Sequence, residues 1–167
     1  MGRVVEVGAD VTKFSVGQRV GVGVYVDSCR ECDQCVGGMS NYCAKGMIGT
    51  YNVPEREGDG YTLGGYASGI VVDHGYVVSV PESLDPAGAA PLLCAGITLY
   101  SPLKEWGAGP GKKVGIIGLG GLGHMGVKFA KALGAHVTVF SHSASKKEDA
   151  LAMGADDFIL TTDESVF

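Results

Sequence analysis

With 167 residues, 13 Lys plus Arg and 18 Asp plus Glu, the chain can form one domain or two small ones and carries a net charge of −5. A mildly acidic chain with no basic block is a poor grip for nucleic acid or an anionic membrane, and 46% hydrophobic against 19% charged residues excludes disorder. Glycine supplies 28 residues without a Gly-X-Y period, which excludes collagen and marks many turns or close approaches of backbone to a ligand.

Met1 and Gly2 lead into Arg3 and Val4 rather than an apolar run, so no signal peptide is expected. Glu6 stands where a myristoylation motif needs Ser or Thr. Val4, Val5 and Val7 predict a short strand ending at Gly8, and residues 17–26 are β-rich with spaced glycines. Residues 27–60 are turn-rich and hold four of the five cysteines. Two further strands are predicted over Tyr66–Val72 and Tyr76–Val80. Asp85 followed by Pro86 predicts a helix start, a cap residue and then proline at the first position. The longest uncharged stretch, Pro86–Leu103, contains prolines, glycines and hydroxyls, so it reads as buried turns and short helices rather than a membrane span.

The pattern then changes. "KKVGIIG" is a short apolar strand, and a helix is predicted from about Gly121 to Leu133, stopped by Gly134. His136–Ser141 is a second strand, Ser145 and Glu148 have capping-box spacing for a helix that Gly154 ends, and Asp157–Leu160 is a third strand. The order β-α-β-α-β predicts a parallel, doubly wound sheet.

Cys29, Cys32, Cys35 and Cys43 form C-x2-C-x2-C-x7-C. Four thiolates so close can surround one tetrahedral zinc, and four soft sulfur ligands leave no open position, so such a site fixes a loop. Two disulfides would need an oxidising compartment, whereas the cytoplasm is the expected location. An iron–sulfur site is the other alternative, with related but different spacings. Gly37, Gly38, Ser40 and Asn41 let the chain double back to Cys43. Cys94, alone in "PLLCAGITLY", reads on local text as a small buried apolar residue.

Gly118, Gly120 and Gly123 form G-x-G-x-x-G between a predicted strand and a predicted helix, the context that gives the motif meaning. The first glycine allows the tight turn, the second lets backbone approach a pyrophosphate, and the third lets helix and strand pack closely. The free N–H groups and positive end of the helix would then receive phosphate. A glycine-rich corner without a ligand is the alternative. An NAD site wants an acid at the end of the second strand. Here Ser141, His142 and Ser143 follow Phe140, and the first acid is Glu148. Hydroxyls with Lys146 and Lys147 suit a 2′-phosphate, so NADP(H) is expected, although the serines can also cap the helix and the lysines can be solvated. His74, His124 and His136 have no second ligand at helical spacing.

Together these segments resemble the zinc-containing medium-chain alcohol dehydrogenases, closest to the cinnamyl-alcohol-dehydrogenase-like branch. The carrying text is "GRVVEVGADVTKFSVGQRVGVG", the four-cysteine lobe, "LGGYA", "PLLCAGITLYSPL", "GPGKKVGIIGLGGLGHMGVKFAKALGAHVTVFS" and "MGADDFI". The resemblance implies a mixed fold: part of a GroES-like β domain over residues 1–94, then the first half of a Rossmann α/β doubly wound parallel sheet over residues 95–167. It implies that Cys29, Cys32, Cys35 and Cys43 hold a structural zinc, and that Cys94 is one ligand of a catalytic zinc. Thr98 falls where the family lines the nicotinamide site. Gly118, Leu119, Gly120, Gly121, Leu122 and Gly123 correspond to the pyrophosphate turn, and Ser141, His142, Ser143 and Lys146 to the 2′-phosphate pocket. His142 departs from the serine often found there.

The family's other catalytic-zinc ligands, among them a Gly-His-Glu motif, would precede the segment beginning at Gly2. The second half of the Rossmann sheet would follow Phe167. The expectation is therefore a central fragment or truncated product of a zinc-dependent enzyme. That enzyme passes a hydride between NADP(H) and a primary alcohol or aldehyde, and as a full-length chain forms a homodimer or higher oligomer. The chain alone is expected to be inactive, with an exposed edge on the first Rossmann strand. Three rivals are a non-enzymatic zinc and dinucleotide binding module, a zinc-ribbon nucleic-acid binder, which the acidic balance opposes, and a zinc-free quinone reductase, which the cysteines oppose.

Overall fold

A computed structural model describes residues 1–163. The chain divides into two compact units, Met1–Leu93 and Cys94–Phe167.

The first unit contains strands β1 (Gly2–Arg3), β2 (Arg19–Val22), β3 (Tyr25–Asp27), β4 (Ile48–Gly49) and β5 (Val77–Ser79). β1, β2 and β5 form an antiparallel sheet in that order, with Gly2 opposite Val20 and Val22 opposite Val77. β3 pairs antiparallel with β4. Between them runs an irregular lobe with a short helix α1 (Asp33–Val36) and a 3-10 turn over Ser40–Tyr42. Helix α2 (Pro86–Ala89) starts as its sequence predicts: Asp85 accepts the Gly88 N–H at 2.8 Å and Pro86 occupies the first turn.

The second unit opens with α3 (Ala95–Glu105) and continues as β6 (Lys113–Ile117), α4 (Gly121–Ala132), β7 (His136–Ser141), α5 (Lys147–Ala152) and β8 (Asp157–Leu160). The three strands are parallel in the order β6-β7-β8. Alternation sends Val137 and Val139 of β7 to one face, where they are fully buried with Val127 and Ala130 of α4 and Ala150 of α5. That face is the core. Two loops beyond it end their helices in the left-handed region, with φ of +91° at Gly134 and +108° at Gly154. β6 is an edge strand, and its Ile117 is 88% exposed.

Three local expectations need correction. Val4, Val5 and Val7 join no ladder; the strand is Gly2–Arg3, because Val4 turns its amide to Gln18 in a loop. Tyr66–Val72 is not a strand, since no neighbouring chain pairs with it and Tyr66 and Val71 stand exposed. Ser145 does not cap α5. A 3-10 turn over Ala144–Lys146 comes first, so Ser143 takes the cap position and the Ser145 hydroxyl meets that of Ser143 at 3.0 Å.

Candidate functional site

The four lobe cysteines converge because the chain turns tightly between them. Cys32 sits at the cap of α1, Cys35 lies within that helix, and Gly38 (φ +79°) reverses the chain toward the 3-10 turn that delivers Cys43. All four sulfurs lie within 4.8 Å of one another, and none is joined to another in a disulfide. Cys29 Sγ and Cys35 Sγ are 3.9 Å apart. A zinc tetrahedron with Zn–S of about 2.3 Å has edges of about 3.8 Å, so the donor set fits that ion.

Backbone amides prepare the sulfurs for negative charge. Cys29 N–H points to Cys43 Sγ, Cys32 N–H to Cys29 Sγ, and Ala44 N–H to Cys32 Sγ, each at 3.4 Å. The Ala44 amide and then the Cys35 amide pull the Cys32 thiol down to about 6. The Glu31 and Cys32 amides lower Cys29. At Cys43 the Cys29 amide acts in the same direction, but burial and the Cys29 and Cys35 thiols together outweigh it and push this thiol up.

The lobe is anchored by charge. Arg30, in the left-handed region at φ +61°, reaches Asp27 at 2.7 Å and Asp73 at 3.0 Å. Arg56 holds Asp27 at 3.2 Å and the Gly46 carbonyl at 2.8 Å. Lys45 pairs with Glu31. One polar group absent from the cysteine motif also reaches the cluster, and a second stands behind it. The Ser28 hydroxyl, on a residue only 2% exposed, lies 3.2 Å from Cys35 Sγ and 2.7 Å from the Tyr76 hydroxyl. Nothing in the spacing of Ser28 and Tyr76 announces this.

In the second unit the glycine turn joins β6 to α4. Gly118 adopts φ +83°, which a side chain rarely tolerates, and its N–H bonds the Phe140 carbonyl at 2.8 Å. A Cβ on Gly123 would lie 2.0 Å from the Gly118 carbonyl oxygen, so only glycine lets α4 start so close to the turn. A Cβ on Gly120 or Gly121 would meet nothing within 4 Å. That side of the turn is open space before the first amides of α4, the position where a phosphate group fits. Leu119 is buried, and Leu122 is exposed.

The end of β7 lies beside this turn. Ser141 is buried, and its hydroxyl accepts the Ser143 N–H at 3.2 Å. Lys146 Nζ donates to the Leu119 carbonyl at 2.9 Å, tying this loop to the glycine corner. His142 is exposed. The first carboxylate, Glu148, is already inside α5, so hydroxyls and an ammonium, not an acid, line the strand end.

Cys94 caps α3, its carbonyl accepting the Thr98 N–H at 3.1 Å. Both residues are exposed, so Cys94 is not the buried apolar residue its local text suggests. Among the described residues, the four lobe cysteines are the only group of three or more metal-ligating side chains. Among them, too, no helix is long and apolar enough to cross a membrane.

Comparison with known proteins gives the family. Residues 1–82 match the alcohol dehydrogenase GroES-like domain family, and residues 121–166 match the zinc-binding dehydrogenase family. The chain is 59% identical over 167 residues to NADP-dependent alcohol dehydrogenase C 1 of Mycolicibacterium smegmatis, covering 99% of this chain and 48% of that protein. Among solved structures, a cinnamyl alcohol dehydrogenase from Sorghum bicolor superposes with a TM-score of 0.94 at 50% identity, over 98% of this chain and 47% of that one. A Helicobacter pylori relative described as complexed with NADP(H) gives 0.90 at 46% identity, over 95% and 46%. The chain spans about half the length of the curated relatives it matches. On these matches the chain belongs to the zinc-containing medium-chain alcohol dehydrogenases, in their cinnamyl-alcohol-dehydrogenase-like branch.

Proposed function

We propose that the chain carries the structural-zinc lobe and the NADP(H) half-site of an alcohol dehydrogenase or aldehyde reductase acting on a primary alcohol or its aldehyde. The observation that carries this reading is the glycine corner: left-handed at Gly118, closed at Gly123, open at Gly120 and Gly121, and flanked by Ser141, Ser143 and Lys146 rather than an acid. When bound, NADP(H) supplies or accepts the hydride and a catalytic zinc polarises the substrate oxygen.

The residues of this chain then take these roles. The N–H groups after Gly120 and the positive end of α4 receive the pyrophosphate. Ser141, His142, Ser143 and Lys146 surround the 2′-phosphate, with the Lys146 ammonium supplying the charge. Thr98 lines the nicotinamide site. Cys29, Cys32, Cys35 and Cys43 hold the structural zinc. Cys94 is one ligand of the catalytic zinc, a site that normally takes three protein ligands. Among the described residues Cys94 belongs to no group of three metal-ligating side chains, and a catalytic zinc needs three protein ligands, so the 167-residue chain by itself is expected to bind without turnover. That same observation favours a second reading, a zinc and dinucleotide binding module with no catalysis.

The test is zinc analysis of gently purified chain together with calorimetric titration by NADPH and NADH. One zinc per chain and tighter binding of NADPH support the reading. No zinc and no heat from either nucleotide overturn it. Oxidation of a primary alcohol by the chain alone would remove the binding-module alternative and the expectation of inactivity.

A further inference from the structure

Ser28 immediately precedes the first cysteine of the lobe, and Tyr76 ends a 3-10 turn (His74–Tyr76) well beyond the last. The Ser28 hydroxyl has one proton and two close partners, Cys35 Sγ at 3.2 Å and the Tyr76 hydroxyl at 2.7 Å. Ser28 is 2% exposed, so water cannot substitute for either partner. With Cys35 as a thiol, the thiol can donate to Ser28. A metal ligand must be a thiolate, which has no proton to give and needs donors. Ser28 must then turn its proton toward sulfur, and its own lone pair must accept from elsewhere. Tyr76 can do this, since a phenol both donates and accepts.

Tyr76 is held for that task. Its ring packs edge-to-face on Tyr25 at 5.5 Å, and the Arg30 guanidinium lies 5.9 Å from the ring centroid. Asp73, which grips Arg30, also caps the Tyr76 turn by accepting the Gly75 N–H at 2.8 Å. The arrangement fixes the phenol oxygen from a part of the chain that carries no cysteine.

We propose that Ser28 and Tyr76 are positioning residues for the four-sulfur metal site, forming a chain in which Tyr76 donates to Ser28 and Ser28 donates to the metal-bound Cys35 sulfur. This rests on the reading that the cluster holds zinc. Donation from an outer shell both orients a ligand and lowers the energy of its lone pairs, and its loss costs roughly 10–100-fold in metal affinity. Because the two hydrogen bonds are in series, removing Ser28 also removes the route by which Tyr76 acts.

The experiment compares the full chain with Tyr76→Phe, Ser28→Ala and the double variant. Zinc affinity is measured by competition with a chromophoric chelator, and the sulfur-to-metal charge-transfer band is recorded after cobalt(II) substitution. Tyr76→Phe keeps the ring contacts with Tyr25 and Arg30 and removes only the hydroxyl, and circular dichroism of each variant checks that the fold is retained. The expected result is a zinc affinity lowered roughly tenfold or more in each single variant, with the double variant no weaker than Ser28→Ala. The cobalt band should move to longer wavelength, a change that loss of packing alone would not produce. Wild-type affinity and an unmoved band in both single variants overturn the proposal while leaving the zinc reading intact. A wild-type chain that takes up neither zinc nor cobalt overturns the zinc reading and this proposal with it.

Discussion

Lys146 joins two loops of the second unit, since its ammonium reaches from the loop after β7 to the Leu119 carbonyl in the glycine turn. In the proposed NADP(H) site it is therefore both a charge for the 2′-phosphate and a prop for the turn. Lys146→Met should weaken NADPH binding about tenfold or more, since hydrogen bonds to charged groups are worth about 1.5–3 kcal/mol, and should weaken NADH binding less. Fluorescence titration with the two nucleotides measures the difference; equal losses would assign Lys146 to the turn alone. Asp156 plays a different part. Its carboxyl is held below the ordinary carboxylate range by Lys131 at 2.6 Å, then by the Val137 N–H at 2.8 Å. A carboxylate with a lowered folded pKa stabilises the fold above its unfolded pKa, and that stability is lost as pH falls through the lowered value. The melting temperature of the wild-type chain should exceed that of Asp156→Asn near neutral pH, and the gap should close in acid.

The β6–α4 turn shows how far one element depends on one missing side chain. Gly123→Ala sets a methyl 2.0 Å from the Gly118 carbonyl oxygen, and a backbone atom cannot swing aside as a side chain would. The substitution should cost about 1–3 kcal/mol, the usual range for overpacking, and abolish nucleotide binding by displacing the turn. Thermal unfolding and the titration above check both. This element was legible in the sequence because strand, glycines and helix are local, and for the same reason Gly134 marks the end of α4, Gly154 the end of α5 and Asp85–Pro86 the start of α2. Tyr66–Val72 was not. It has the composition of a strand, but a strand exists only through a partner, and partners are set by the fold. The four cysteines announce a metal by spacing. Ser28 and Tyr76 do not, because neither type is a ligand and only the tertiary structure brings them together. Cys94 misleads in isolation, since small apolar neighbours in sequence do not bury a helix cap.

At the scale of the whole molecule the two units rest on different supports. The Met1–Leu93 unit has small sheets and a lobe gathered around sulfur, whereas the second has a contiguous apolar core on one face of its sheet. Removing zinc with a chelator should therefore loosen the lobe first. Limited proteolysis should then cut within residues 29–43 while the β6–β8 sheet stays protected, and restored zinc should restore resistance. Equal protection with and without metal would show that the lobe needs no ion. The second unit has its own asymmetry. Among the described residues β6 pairs with β7 alone, and Ile117 projects from it almost fully exposed. Its free rim of amides and carbonyls, with an apolar side chain beside them, is an unfinished template. Crowding such molecules together favours one strand adding to another, so the mutual repulsion of acidic chains is opposed by a rim that invites association.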